Sequence, residues 1–210
     1  MRAEILNWND DGQSEKGENH MLKELVYSCR TYRRFDEDVR MTEEELRELV
    51  DLGRMTAFSA NSQSLKFAIY HTREDAARIY PSLIWAAALK DWDGPAEGER
   101  PAAYIVILSD LTMGPKRAIE SGITAQTMML GAVEKGYGGC MLGSVQRAKL
   151  AETLGIDQER YSIELVLALG KPKEEVKVVP VGENGDTTYY RDENQVHYVP
   201  KRSLEDVLYS

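Results

Sequence analysis

Cysteine is scarce in this 210-residue chain, which has only Cys29 and Cys140. Two thiols cannot build a disulfide framework, so a core made by burial alone and a reducing, cytoplasmic setting are expected. Histidine is equally thin. His20, His71 and His197 stand far apart, and no His-Glu-x-x-His or Cys-x-x-Cys spacing occurs. A metal centre therefore has no ligand set to start from, and none is expected. Long hydrophobic runs are missing too. The longest lie near residues 102–108 and 163–169, well short of the roughly 18 residues that suggest a membrane span. The N-terminus lacks the basic-then-apolar order of a signal peptide, so none is expected. Positive charge is in deficit, with 26 Lys and Arg against 35 Asp and Glu and a formal net charge of −9. That balance argues against a nucleic-acid partner. There is no Gly-x-Ser-x-Gly elbow, no P-loop and no complete Gly-x-Gly-x-x-Gly opening a helix, which removes the usual signs of a serine hydrolase, an NTPase or a Rossmann dinucleotide site.

What is present is enough chain for one domain, at roughly 100–200 residues each. Residues 1–20 are polar and breaker-rich and read as an arm or tail, in which Ile5, Leu6 and Trp8 could dock. Residues 21–210 read as a single domain. Leu22, Leu25 and Val26 sit at helical spacing. Thr42 with Glu45 forms a capping box, and Leu46, Leu49, Val50 and Gly53 carry one helical face to about Arg54. Residues 57–64 are a loop, 67–71 a strand, and 74–90 a helix that Pro81 interrupts. Residues 103–109 have the look of a strand covered on both faces. The most hydrophobic helix spans 116–135; being apolar most of the way round, it is expected at the centre. A short strand at 140–145, a helix at 147–154 stopped by Gly155 and a buried strand at 162–169 follow. The tail from 187 to 199 is polar and extended, and 203–208 has the makings of a last helical turn. Strands and helices interleave without a regular βαβ alternation, which favours an α+β fold with one sheet flanked by helices.

Four clusters carry possible chemistry. Arg30-Thr31-Tyr32-Arg33-Arg34-Phe35 concentrates three guanidiniums and a hydroxyl, a set suited to a phosphate. It equally suits a solvated loop pairing with Asp36, Glu37 and Asp38. Ser59-Ala60-Asn61-Ser62-Gln63 offers two amides at close quarters, for the edge of a heterocycle or for an ordinary polar turn. Gly136 through Ser144 lets backbone approach something flat, or supplies cap and packing glycines. Pro200-Lys201-Arg202 completes an anion site or merely ends a chain. Cys140 reads as a small core residue, and Trp85 and Trp92 as packing residues able to roof a pocket. These are binding groups with few acids or bases among them, as in an enzyme whose chemistry belongs to its cofactor.

Taken in order, the clusters resemble the motifs of the nitroreductase family. Arg30 to Phe35 is similar to its Arg-Ser-x-Arg-Arg-Phe segment, and Ser59 to Gln63 to its Ser-x-Asn-x-Gln-Pro-Trp loop. Ala125 to Leu130 and Gly136 to Cys140 match its central helix and Gly-rich strand. Leu169 to Pro172 and Lys201-Arg202 match its closing strand and C-terminal basic pair. The likeness covers about residues 21–208. It implies an α+β, nitroreductase-like fold with a mostly antiparallel central sheet and a C-terminal extension crossing to a dimer partner. It also implies a homodimer with FMN at the interface and NADH or NADPH as co-substrate. Arg30, Thr31 and Arg33 would lie in the FMN site, Arg30 on phosphate and Arg33 towards the pyrimidine. Ser59, Asn61 and Gln63 would line flavin and ribityl, Gly143 and Ser144 would present backbone to the ring, and Lys201 and Arg202 would extend the phosphate clamp. No protein residue would be catalytic in its own right. The implied activity is ping-pong reduction of a nitroaromatic, quinone or related small acceptor. The alternatives are an FMN carrier or sensor without turnover, or a specialised member acting on a non-nitro substrate, for instance by reductive dehalogenation. Ser64-Leu65 replaces the family's Pro-Trp, Phe58 stands where a small residue is usual, Cys29 stands where many members have a second Arg, and the lid region from Trp85 to Arg100 is short.

Overall fold

The apolar runs in the sequence sort themselves into a sheet and two helical layers around it. A computed structural model describes residues 21–86, 88–89 and 91–209; the expected N-terminal arm, residues 1–20, lies outside the described residues. In chain order the elements are α1 (Met21–Ser28), β1 (Phe35–Asp36), α2 (Glu43–Arg54), β2 (Leu65–Tyr70), α3 (Arg73–Ile79), β3 (Ala103–Asp110) and α4 (Ala118–Glu134). β4 (Gly138–Leu142), α5 (Arg147–Leu154), β5 (Tyr161–Pro172), β6 (Val176–Pro180), β7 (Tyr190–Arg191), β8 (His197–Lys201) and α6 (Leu204–Val207) follow. Strands and helices alternate irregularly and every pairing in the main sheet is antiparallel, so the α+β expectation holds.

β3 and β5 form the middle of this sheet. β3 pairs with β2 from Leu65↔Ser109 to Tyr70↔Tyr104 and with β5 from Ala103↔Leu169 to Asp110↔Tyr161. β4 lies on the other side of β5, from Gly138↔Gly170 to Leu142↔Val166. Every residue of β3 is buried, as its unbroken apolar run predicts. Alternation along the strand sends Tyr104, Val106 and Leu108 to one face, against Ile79, Trp85 and Leu150. It sends Ala103, Ile105 and Ile107 to the other, against Leu46, Leu49 and Met128. Each fully buried side chain of this kind contributes about 1.5–3 kcal/mol of transfer free energy, so two covered faces make this pair of strands the anchor of the fold.

The capping box forms as expected. Glu45 N–H donates to Thr42 Oγ1 at 3.2 Å, and Thr42 N–H donates to Glu45 Oε2 at 2.8 Å. Two expectations change. The helix expected over 74–90 stops at Ile79, where Pro81 falls in a 3-10 turn over Tyr80–Ser82 and withholds the amide a continuing helix needs. Beyond this turn Trp85 sinks into the core. The helix expected to be central, α4, is not wrapped on all sides. Thr124, Ala125, Met128, Met129 and Ala132 are buried, while Ile119 is 77% and Ile123 43% exposed. Leu22 and Val26 of α1 are exposed as well, so an apolar face has no partner among the described residues.

The polar tail becomes a second, three-stranded sheet. β8 pairs with β6 in parallel and with β7 antiparallel. Beyond it, α6 carries a second capping box, between Ser203 and Asp206, and Leu204, Val207, Leu208 and Tyr209 are exposed.

Candidate functional site

The basic segment at 30–35 is laid along the outer edge of β4. Tyr32 N–H donates to the Gly139 carbonyl at 2.9 Å, and Thr31 forms a parallel bridge to Gly139. Glycine is required there. A Cβ at Gly139 would stand 2.5 Å from the carbonyl oxygen of Ala168, and one at Gly138 would stand 2.6 Å from the Tyr32 ring. Phe35 then buries completely and pins the segment to the core.

The three arginines do not pair with Asp36, Glu37 or Asp38, as the solvated-loop reading required. Asp38 instead holds Arg73 at 2.7 Å, and Glu37 accepts from the Gly98 and Arg100 amides. Arg34 makes a two-pronged pair with Glu99, at 2.9 and 3.2 Å. Arg30 donates from Nη2 to the Val26 carbonyl at 2.7 Å, and its Nε is buried without a partner. Thr31 is exposed. Arg33 is 9% exposed, with Nη1 3.2 Å from His197 Nε2 and its guanidinium carbon 4.6 Å from the Tyr189 ring centre.

The loop at 59–63 is strained in a specific way. Ala60, Asn61 and Gln63 all have positive φ, at 52°, 50° and 47°. Side-chain-bearing residues in that region cost on the order of 1–3 kcal/mol each, and such strain clusters at binding sites. Gln63 Nε2 donates to Asn61 Oδ1 at 3.1 Å, and Ser59, Asn61 and Gln63 are all exposed.

Gly143 and Ser144 follow β4 directly and are exposed. Their carbonyls are tied inward: Arg147 Nη2 donates to Gly143 O, and Ile84 N–H donates to Ser144 O, both at 3.0 Å. The nearest atom to a Cβ at Gly143 would be 3.8 Å away, so this turn is open on its outer side. Lys201 ends β8 and Arg202 follows it, and both are exposed.

The structure thus brings Arg30, Thr31 and Arg33 to one edge strand, whose far end leads into Gly143 and Ser144. It does not bring the 59–63 loop to the 30–33 segment. The segment sits beside Gly139, in the row of Leu169 and Ala103, whereas the loop enters β2 opposite Ser109. Those rows are about 20 Å apart at the usual strand rise.

Residue spacing gave no hint of the group around Arg33. Glu174, fully buried at its side chain, accepts from the Arg33 and Arg34 amides and from Arg191 Nη2, the last at 2.9 Å. Arg191 lies 4.3 Å from the Trp92 ring centre. Burial, helped by Arg33 and Arg191, pushes the His197 imidazole down to about 4. These residues are 141 and 164 positions from Arg33, beyond the reach of any local pattern. Cys140 is a core residue, as expected, and burial raises its thiol to about 11. Trp85 packs and Trp92 lines a pocket of about 620 Å³ with Tyr190 and Arg191. Among the described residues no group of three or more His, Cys, Asp or Glu could hold a metal ion, and no helix is long and apolar enough to cross a membrane.

These donors suit a phosphorylated, flat, polar ligand. They comprise a buried Nε at Arg30 and another at Arg33, each without an acceptor among the described residues, exposed amides on a strained loop, and an open glycine turn. YdgI of Bacillus subtilis, provisionally named an NAD(P)H nitroreductase, is 23% identical, with 72% of this chain and 88% of that protein covered. A provisionally assigned nitroreductase from Desulfovibrio desulfuricans, solved in complex with FMN, superposes with a TM-score of 0.67 at 20% identity, over 92% of this chain and 98% of that one. A provisionally assigned NAD(P)H:FMN oxidoreductase from Staphylococcus epidermidis gives 0.67 at 18%, over 94% and 99%. Residues 26–171 match the profile of the nitroreductase family, and the chain belongs to that family.

Proposed function

We propose that this chain is an FMN-dependent oxidoreductase that uses NAD(P)H to reduce a small acceptor, a nitroaromatic or a quinone, in a cytoplasmic ping-pong cycle. The observation that carries the reading is the seating of Arg30, Thr31 and Arg33 on β4, the strand that runs on to the open Gly143-Ser144 turn. Flavin, when bound, supplies the redox chemistry by taking up and passing on reducing equivalents. Arg30 and Thr31 bind its phosphate, joined by Lys201 and Arg202. Arg33 holds a positive charge towards the pyrimidine, where it favours electron-rich states of the ring. Gly143 and Ser144 present backbone to the ring without a side chain in the way, and Ser59, Asn61 and Gln63 supply hydroxyl and amide contacts.

The 20 Å separation between the 30–33 segment and the 59–63 loop supports a site built from two chains. Each protomer of a homodimer contributes one of the two to a given flavin. The exposed apolar face of α1 and α4 supplies the interface, and the exposed apolar residues after Ser203 supply the extension that crosses it. Phe58 packs on the inner core cluster and does not favour a carrier with a plugged site.

Absorbance spectroscopy tests the reading. Purified protein, or protein given FMN and desalted, is expected to be yellow, and anaerobic NADH or NADPH to bleach the flavin band until an acceptor restores it. Protein that stays colourless sinks the flavin reading; flavin that binds and never bleaches assigns a carrier instead.

A further inference from the structure

Arg33 is a buried cation without a counterion among the described residues. No described carboxylate stands within ion-pair distance of its guanidinium; Glu174, which holds its backbone, spends its oxygens on the amides of Arg33 and Arg34 and on Arg191. Burying an unpaired charge is costly, and a neutral imidazole and a phenol ring do not cancel it. What they do is aim it. Arg33 Nη1 donates to His197 Nε2 at 3.2 Å, and the guanidinium lies over Tyr189 at 4.6 Å. Tyr189 in turn packs on His197, with ring centres 5.2 Å apart. Because a guanidinium only donates, Nε2 of His197 accepts and its proton sits on Nδ1. The backbone is gripped as well, through Glu174. Both ends of Arg33 are therefore set by residues that follow β5, while Nε is buried without an acceptor among the described residues and Nη2 makes no hydrogen bond to a described residue.

We propose that His197 and Tyr189 are positioning residues that aim the free edge of Arg33 at the electron-rich pyrimidine end of bound FMN, making the C-terminal sheet a working part of the flavin site. This rests on the FMN reading above. One edge of the cation is spent on a rigid neighbour, so the other meets the ligand already oriented, and the ligand supplies the missing negative charge.

The test measures FMN dissociation constants and flavin midpoint potentials for the full-length wild type and for His197→Leu, His197→Gln, Tyr189→Leu, Arg33→Met and the Arg33→Met/His197→Leu double variant. His197→Leu is expected to weaken FMN about tenfold, the scale of one hydrogen bond to a charged group, and to make the potential more negative. His197→Gln, which keeps an acceptor, restores most of both. In the Arg33→Met background His197→Leu costs nothing further, because its effect runs through Arg33. If His197→Leu does not fold, Tyr189→Leu carries the same expectations. Unchanged affinity and potential in these variants, or an equal loss with and without Arg33, overturns the proposal. Wild type that takes up no FMN overturns it together with the reading it rests on; wild type that binds normally beside indifferent variants overturns this proposal alone.

Discussion

A single carbonyl oxygen decides the residue at position 139. The Ala168 oxygen is backbone in the middle of β5 and cannot move aside for a Cβ 2.5 Å away. Gly139→Ala is therefore expected to lose about 1–3 kcal/mol, the usual cost of overpacking, read as a lower thermal or denaturant midpoint. Gly143→Ala, with its nearest neighbour at 3.8 Å, is expected to leave the stability of the flavin-free protein within about 0.5 kcal/mol. A Gly139→Ala variant as stable as wild type would refute the close approach. The two glycines sit four residues apart in one Gly-rich run. Composition left flat-ligand approach and packing both open for the run; only the strand beside each position separates them.

At the scale of elements, the C-terminal sheet is held to the domain by a polar clamp with a pH limit. His197 is buried, and desolvation together with Arg33 and Arg191 lowers it from an ordinary 6.5 to about 4. Between those values the unfolded chain binds a proton that the folded chain refuses. The clamp's contribution is thus complete above about pH 6.5 and is lost as pH falls towards 4. Asp110 is held down at about 2 by hydrogen bonds from Thr112 and Arg160 and titrates outside this window. Denaturant midpoints are expected to fall from pH 7 to pH 5 in the wild type and to fall less in His197→Gln. Equal slopes would remove His197 from the account. The contrast with α2 is instructive. Its capping box lies within four residues and was plain in the sequence, whereas the clamp joins β8 to a segment 164 positions earlier.

At the scale of the molecule, the exposed Ile119 and Ile123 predict an assembly. Replacing both with Lys is expected to turn a sedimenting dimer into a folded monomer that no longer retains FMN. A wild type that sediments as a monomer would withdraw the dimer. The sequence by itself determined the strands at 103–109 and 162–169, the capped α2, the break near Pro81 and the basic segment at Arg30, because hydrophobic period, capping and charge density are local properties. It did not say which face of α4 the described residues leave open, because periodicity reports how much of a helix is apolar and not what lies against it. Only the tertiary structure decided that Arg33 answers to His197 and Tyr189, that Glu174 grips its backbone, and that the 30–33 segment and the 59–63 loop lie at sheet rows about 20 Å apart along the strands. Those facts come from sheet register and burial, which bring distant residues together through contacts that no short stretch of sequence encodes.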